Sequence, residues 1–117
     1  MFGGLDEKRL IHFTTTGRRS GLPREKWWLP FAPDGDVLYL LEEHGTDAQW
    51  VRNVLADPVI TVEDISATAR VVTDDDEIAH ARRVCAERFR RVGLVEQGLV
   101  ERGLVVAVTA SAVPSRT

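Results

Sequence analysis

Cysteine is nearly absent from this 117-residue sequence: Cys85 stands alone. An internal disulfide is thereby excluded, which fits a reducing compartment. Long apolar runs are missing too. No stretch approaches the ~20 residues of a membrane span, and Met1 to Lys8 holds no apolar run of signal-peptide length. The expectation is a cytoplasmic protein with no membrane span. Surplus positive charge is also lacking: 15 Lys and Arg stand against 18 Asp and Glu, a net charge of −3. Nucleic-acid binders draw their affinity from neutralising phosphates, so no nucleic-acid partner is expected and any anion site must be local. His12, His44 and His80 are scattered, with no Cys or carboxylate pair at ligand spacing, so no metal site is expected. No serine sits in a nucleophile-elbow context, which leaves hydrolase chemistry without support.

What is present reads as a folded domain. Hydrophobic residues make up 44% and charged residues 28%, the balance of an ordinary globular chain rather than a disordered one. The length suits one domain over residues 1–117, with a core of about 10–109 and a polar tail at 111–117. Leu10 to Thr16 is rich in β-branched and aromatic residues and predicts a strand. Arg24 to Ala32 predicts a second strand, with Pro30 marking an edge or bulge. Pro33-Asp34-Gly35-Asp36 is a turn leading into a third strand, Val37 to Leu41, as an antiparallel hairpin.

Thr46 to Asp57 predicts a helix. Thr46 and Gln49 have capping-box spacing, Trp50, Val51, Val54 and Leu55 share a face, and Pro58 ends it. Val59 to Val72 is mostly strand, broken near Asp64 to Ser66. Thr73 to Val92 predicts a second helix capped by Thr73 or Asp74. Asp75, Asp76 and Glu77 suit its positive end, and Arg88, Arg90 and Arg91 its negative end. Ile78, Ala81, Cys85, Phe89 and Val92 form its apolar stripe, and Gly93 its C-terminal cap. Cys85 therefore reads as inert core. A Gly-Leu-Val triplet recurs every five residues from Gly93 to Val105, a period that matches no repeat architecture and reads as loop or a short helical turn. Leu104 to Thr109 is a last strand. About six mainly antiparallel strands with two to three helices predict an α+β fold, and closure into a barrel would remove its edges.

The most informative stretch is Thr14-Thr15-Thr16-Gly17-Arg18-Arg19-Ser20-Gly21-Leu22-Pro23-Arg24. It sets three arginines, a serine and two glycines between two strands. Glycine permits positive φ and close backbone approach and leaves amides bare. Arginine offers a planar fork for phosphate oxygens. From Gly17 to Lys26 four cations meet one carboxylate, Glu25, in a chain that is acidic overall. A Walker-type phosphate loop is missing. Trp27 and Trp28 beside this loop could suggest base stacking, but strand alternation packs one inward and turns the other to a groove. Asn53 reads as a helix-surface or strand-bracing hydrogen-bond donor rather than a catalyst, and Trp50 as core.

The stretch Thr14 to Arg24 closely resembles the Thr-Thr-Thr-Gly-Arg-Lys-Ser-Gly-x-x-Arg signature of the deazaflavin (F420)-dependent nitroreductase family. Trp50-Val51-Arg52-Asn53-Val54-Leu55-Ala56-Asp57-Pro58 resembles that family's Trp-x-x-Asn-Leu-x-x-x-Pro helix, and Arg102 to Thr109 its closing strand. The resemblance implies a split β-barrel related to flavin-binding barrels, with coenzyme F420 as cofactor and flavin mononucleotide (FMN) as the alternative. It implies an F420H2-dependent oxidoreductase, nitroreductase- or quinone-reductase-like, that transfers a hydride to a small apolar substrate. No catalytic side chain is named. Gly17, Arg18, Arg19, Ser20, Gly21 and Arg24 would cradle the phosphate and acidic tail, and Trp28 would border the ring groove.

The sequence departs from the family at three places. Glu42 and Glu43 stand where small or cationic residues are usual, the aromatics before the last strand are missing, and so is an N-terminal helix. A carboxylate ~4 Å from a phosphate costs about 4 kcal/mol at an effective dielectric near 20. Glu42 and Glu43 must then face away from the phosphate, or the ligand differs. The other readings are a non-catalytic barrel that binds a fatty acid, a haem-derived pigment or FMN, and a partner-binding module offering its apolar Gly93 to Val105 segment. A homodimer could supply the missing lid.

Overall fold

The computed structural model describes residues 2–28, 30–94 and 96–111; the expected polar tail beyond residue 111 lies outside them. Among the described residues seven strands are present: β1 (Ile11–Thr16), β2 (Pro23–Trp28), β3 (Phe31–Asp34), β4 (Val37–Glu42), β5 (Val59–Val62), β6 (Ile65–Val71) and β7 (Leu104–Ala110). Three helices join them: α1 (Gln49–Ala56), α2 (Asp75–Val92) and α3 (Gln97–Arg102). The strands form one antiparallel sheet in the order β2-β1-β5-β6-β7-β4-β3. The fold is the expected α+β split barrel, with one strand more than expected. The segment expected as a single strand over 24–32 is two strands, because Pro30 cannot donate to a ladder.

That division sets the shape of the sheet. β2 and β3 are consecutive in sequence yet occupy opposite edges. Trp28 and Phe31 are three residue steps apart, which at full extension spans only ~11 Å. Laid flat, seven strands at ~4.8 Å spacing would hold the outer two roughly 29 Å apart. The sheet must therefore curl until its edges approach, while Leu41 N–H of β4 donates to Pro30 O at 3.0 Å and carries the β3–β4 ladder one residue past the end of β3.

The curl makes two cores. Phe2, Ile11, Phe13, Phe31, Leu38, Leu40, Ile60 and Val62 fill the inside, where Trp50, Val51 and Val54 of α1 close it. Outside, Ala81, Cys85 and Phe89 of α2 cover Tyr39, Leu41, Val105 and Ala107. β4 and β7 are covered on both faces and read as continuous apolar runs, whereas β5 and β6 alternate. Burial pushes the Cys85 thiol up to about 12, in keeping with an inert core residue.

Three local expectations are corrected. α1 starts at Gln49 behind a 3₁₀ turn (Gly45–Asp47), and its N-cap is Ala48 with no side-chain cap, so the capping box of Thr46 and Gln49 does not form. Leu55, expected on the apolar face, is 59% exposed, and Asn53 is buried in its stead. α2 behaves as expected at both ends. Asp74 accepts from Glu77 N–H at 2.9 Å, and Gly93 closes the helix at φ +76°. Arg88, expected as an end charge, is instead 1% exposed, lies over the Phe31 ring, and donates to Phe31 O and Lys8 O. It ties α2 to the segment before β1 and to the start of β3.

Arg88→Ala leaves those two carbonyls without that donor and is expected to destabilise the fold by at least about 3 kcal/mol in urea denaturation, the worth of two charge-assisted bonds; a loss under about 1 kcal/mol would refute the role. Glu63 makes a second, pH-dependent test. His12 N–H donates to its carboxylate at 2.7 Å and Lys8 lies 3.3 Å away, which together hold its pKa below the ordinary 4.5. A depressed carboxylate stabilises above its unfolded pKa and loses that stabilisation as pH falls through the folded one. The stability gap between wild type and Glu63→Gln is therefore expected to be constant near neutrality and to shrink below pH 4.5. A gap that persists unchanged to about pH 3 would discount the carboxylate.

Candidate functional site

The loop between β1 and β2 is built from its own backbone. Gly17 N–H donates to Leu22 O at 2.8 Å, Gly21 N–H to Gly17 O at 2.8 Å, and Leu22 N–H to Ser20 Oγ at 3.1 Å. The two glycines divide the work expected of both. Gly21 supplies the positive φ of +72°, and Gly17 supplies closeness, since a Cβ there would lie 2.7 Å from Ser20 Oγ and 3.2 Å from Leu22 O. Their amides are consumed in holding the turn, which corrects the expectation that they are bare. The cations are what the loop presents.

Arg18, Arg19, Arg24 and Lys26 line one cleft of about 390 Å³ between the loop, β2 and α1. β2 is an edge strand with Arg24 and Lys26 opposite the buried Thr15 and Phe13, so both point toward the mouth of the barrel. Glu25 is the one carboxylate lining the cleft, and its Oε1 lies 2.7 Å from His12 Nε2. Arg18 is fixed from α1: its Nη1 donates to Asn53 Oδ1 at 2.9 Å, its Nη2 to Gln49 Oε1 at 2.7 Å, and its backbone N–H to Asn53 Oδ1 at 3.2 Å. Asn53 Nδ2 in turn donates to Thr15 Oγ1 at 3.2 Å, which of its two expected roles is the bracing of a strand and not the helix-surface one. Arg24 Nη2 donates weakly to Ser20 Oγ at 3.4 Å. Among the described residues none of the four cations has a carboxylate partner.

The cleft continues along the barrel mouth. A second cavity of about 560 Å³ shares Lys26, Gln49 and Trp50 with it and adds Trp28, Glu42 and Glu43. A third of about 620 Å³ shares Trp28, Glu42 and Glu43 and adds Glu96, Gln97 and Arg102 around α3. Alternation parts the tryptophans, but the expected groove position is corrected: Trp28 both packs inward and borders the groove, and Trp27 lines none of these cavities. Trp28 packs edge-on to Phe13 and Trp50, while Trp27 is exposed against the His12 ring. Trp28 Nε1–H is buried and meets no acceptor among the described residues.

Glu42 is buried: Trp50 Nε1–H donates to its Oε1 at 2.6 Å and His44 N–H to its Oε2 at 3.0 Å. Glu43 is exposed, with Oε1 3.9 Å from His44 Nε2. Neither carboxylate lines the basic cleft. The structure thus gathers Gly17, Arg18, Arg19, Ser20 and Arg24 at one end, and Trp28, Glu42 and Glu43 at the middle and far end. Gly21 shapes the loop without lining the cleft. Gln49 was missed; its signal was the i, i+4 spacing to Asn53, which sets two amides on one helical face.

A curled antiparallel barrel whose edges meet over a groove defines the split β-barrel class. Within it, the chain belongs to the F420H(2)-dependent quinone reductase family, whose model matches residues 3–111. It is an F420H2-dependent oxidoreductase with coenzyme F420 as its cofactor. Solved structures share the fold at low identity. An F420-H2 dependent reductase, FDR-A, is 23% identical with a TM-score of 0.63, covering 87% of this chain and 94% of that one. HutZ, the haem storage protein of Vibrio cholerae, is 19% identical at 0.68, covering 92% and 84%. An FAD-binding protein of Mesorhizobium loti is 13% identical at 0.61, with the same coverage of 92% and 84%. No curated protein matches the chain. Among the described residues no helix is long and apolar enough to cross a membrane, and no group of three or more His, Cys, Asp or Glu is placed to hold a metal ion.

Gly17→Ala is expected to force the loop open, because the new methyl meets the Leu22 carbonyl, which is backbone, as well as the Ser20 hydroxyl. Overpacking of this kind costs about 1–3 kcal/mol. A thermal melt unchanged from wild type would show that the loop has slack the packing does not suggest.

Proposed function

We propose that the basic cleft holds the phosphate and acidic tail of F420, that the adjoining groove takes its ring, and that a small substrate lies beyond the ring against α3. The observation that carries this is the set of four cations facing one cleft, none of them ion-paired among the described residues, with Glu25 the one carboxylate lining it. Arg18, Arg19 and Arg24 offer forked donors to phosphate oxygens, with Ser20 beside them. Lys26 lies 5.3 Å from the Trp28 ring centroid and marks the passage from charge to aromatic surface. The orphaned Trp28 N–H would find its acceptor in a ring carbonyl, removing a cost of about 1–3 kcal/mol for a buried donor left unmet. When bound, the reduced cofactor supplies the hydride. The side chains orient two reactants and exclude water, which is the protein's usual share in cofactor chemistry.

The far cavity favours a different substrate from the apolar one expected. Glu42, Glu43, Glu96, Gln97 and Arg102 line it, so a polar acceptor able to hydrogen-bond suits it better. Glu42 and Glu43 lie at the ring and substrate end of this arrangement, away from the phosphate, which removes the conflict their charge would otherwise create.

Titration of the protein with F420, FMN and haem, followed by fluorescence and absorbance, tests the reading. Micromolar binding of F420 is expected, with an Arg18→Ala, Arg24→Ala double variant at least tenfold weaker, since two charge-assisted contacts would be lost. Wild-type affinity in the double variant, or tighter binding of FMN or haem than of F420, would overturn it.

A further inference from the structure

Arg18 is held differently from Arg70 and Arg52; Arg88 also donates to neutral oxygens, but those are backbone carbonyls around a buried side chain. Arg70 is held by both oxygens of Glu77, at 2.9 and 2.8 Å, and Arg52 by Asp47 at 3.4 Å. Those are ordinary ion pairs, in which the carboxylate that orients the guanidinium also cancels its charge. Arg18 is oriented just as firmly, by 2.9 and 2.7 Å bonds, yet both acceptors are amide carbonyls. Aspartate and glutamate are the same shape as these amides and would bind the fork more strongly.

We infer that Gln49 and Asn53 form a neutral clamp that fixes Arg18 without cancelling its charge, keeping the guanidinium free for an anionic phosphate ligand; this rests on the phosphate reading of the cleft. The pair sits one turn apart on the same face of α1. Asn53 is 5% exposed, and donation of its Nδ2–H to Thr15 Oγ1 turns its carbonyl toward Arg18. Gln49 is exposed, and its one side-chain bond among the described residues is to Arg18. The clamp orders a long, flexible side chain before the ligand arrives, so less freedom is lost on binding. Glu25, the one acid lining the cleft, is bonded to His12 and makes no ion pair with Arg18.

The distinguishing experiment replaces a neutral acceptor by a charged one of the same size. Gln49→Glu keeps the bond to Arg18 and, being at an exposed position, keeps the fold; its melting temperature is expected to equal or exceed that of wild type. Its affinity for F420 is expected to fall at least tenfold, while affinity for the phosphate-free deazaflavin riboside stays within about twofold. Gln49→Ala, which frees the fork without adding charge, is expected to fall between the two. Asn53→Asp repeats the test at the buried position. A Gln49→Glu variant that binds F420 as well as wild type, or loses F420 and riboside alike, overturns the inference. Wild type that ignores F420 but binds FMN overturns the cofactor assignment alone, and FMN against riboflavin then serves as the pair of probes. Wild type that binds none of these overturns both.

Discussion

The short link between β2 and β3 is the constraint on which the rest of the structure depends. Three residue steps cannot bridge a flat seven-stranded sheet, so the sheet must curl. Curling carries the edge strand β2 round until Trp28, at its end, shares cavities with Glu42 at the end of β4. α1 then has one place to go. Its apolar face closes the inside of the curl through Trp50, Val51 and Val54, and its polar shoulder, Gln49 and Asn53, is left facing the β1–β2 loop. The groove is thus a by-product of closing the barrel, and the side chains along its rim give it chemistry.

Those side chains divide the groove by charge. The loop and β2 contribute four cations, the middle is tryptophan, and the ends of β4 and α3 contribute Glu42, Glu43 and Glu96. Glu42 links the two halves mechanically. By accepting from Trp50 Nε1 it ties the end of β4 to α1, the helix that also holds Arg18. The acidic and basic ends are therefore braced against the same eight residues of α1.

Much of this was legible in the sequence, and what was not has physical reasons. The strands, both long helices and the basic loop could be read because they rest on local signals: β-branched runs, a proline stop, a capping aspartate, arginines between glycines. The split at Pro30 was visible as a warning but not as an edge-to-edge crossing, since proline removes a donor without saying where the chain goes next. Arg88 was misread because charge at a helix end is a local cue, whereas its burial over Phe31 is set by a contact 57 residues away. Gln49 was misread for the opposite reason. The capping box is a strong local pattern, and the helix began three residues later than the pattern implied, which released Gln49 for Arg18. The amides of Gly17 and Gly21 appeared available because a sequence shows donors but not what consumes them.

A chain of net charge −3 that takes a polyanionic cofactor faces an electrostatic problem, and the layout of the groove answers it. At physiological salt, fields are screened within roughly 8 Å, so the ligand feels the lining it touches more than the total charge. In the proposed placement, four cations at one end would attract the phosphate and tail, and three carboxylates at the other would repel them. An anion-tailed ring entering backwards would set its phosphate among Glu42, Glu43 and Glu96. At about 4 Å and an effective dielectric near 20, each such contact costs about 4 kcal/mol. In the proposed placement, the acids that looked like an obstacle to the cofactor in the sequence would instead fix which way round it lies. That depends on the curl, which brings the end of β4 into the same groove as β2, beyond Trp28 from the arginines; in a flatter sheet the two charged ends would share no groove.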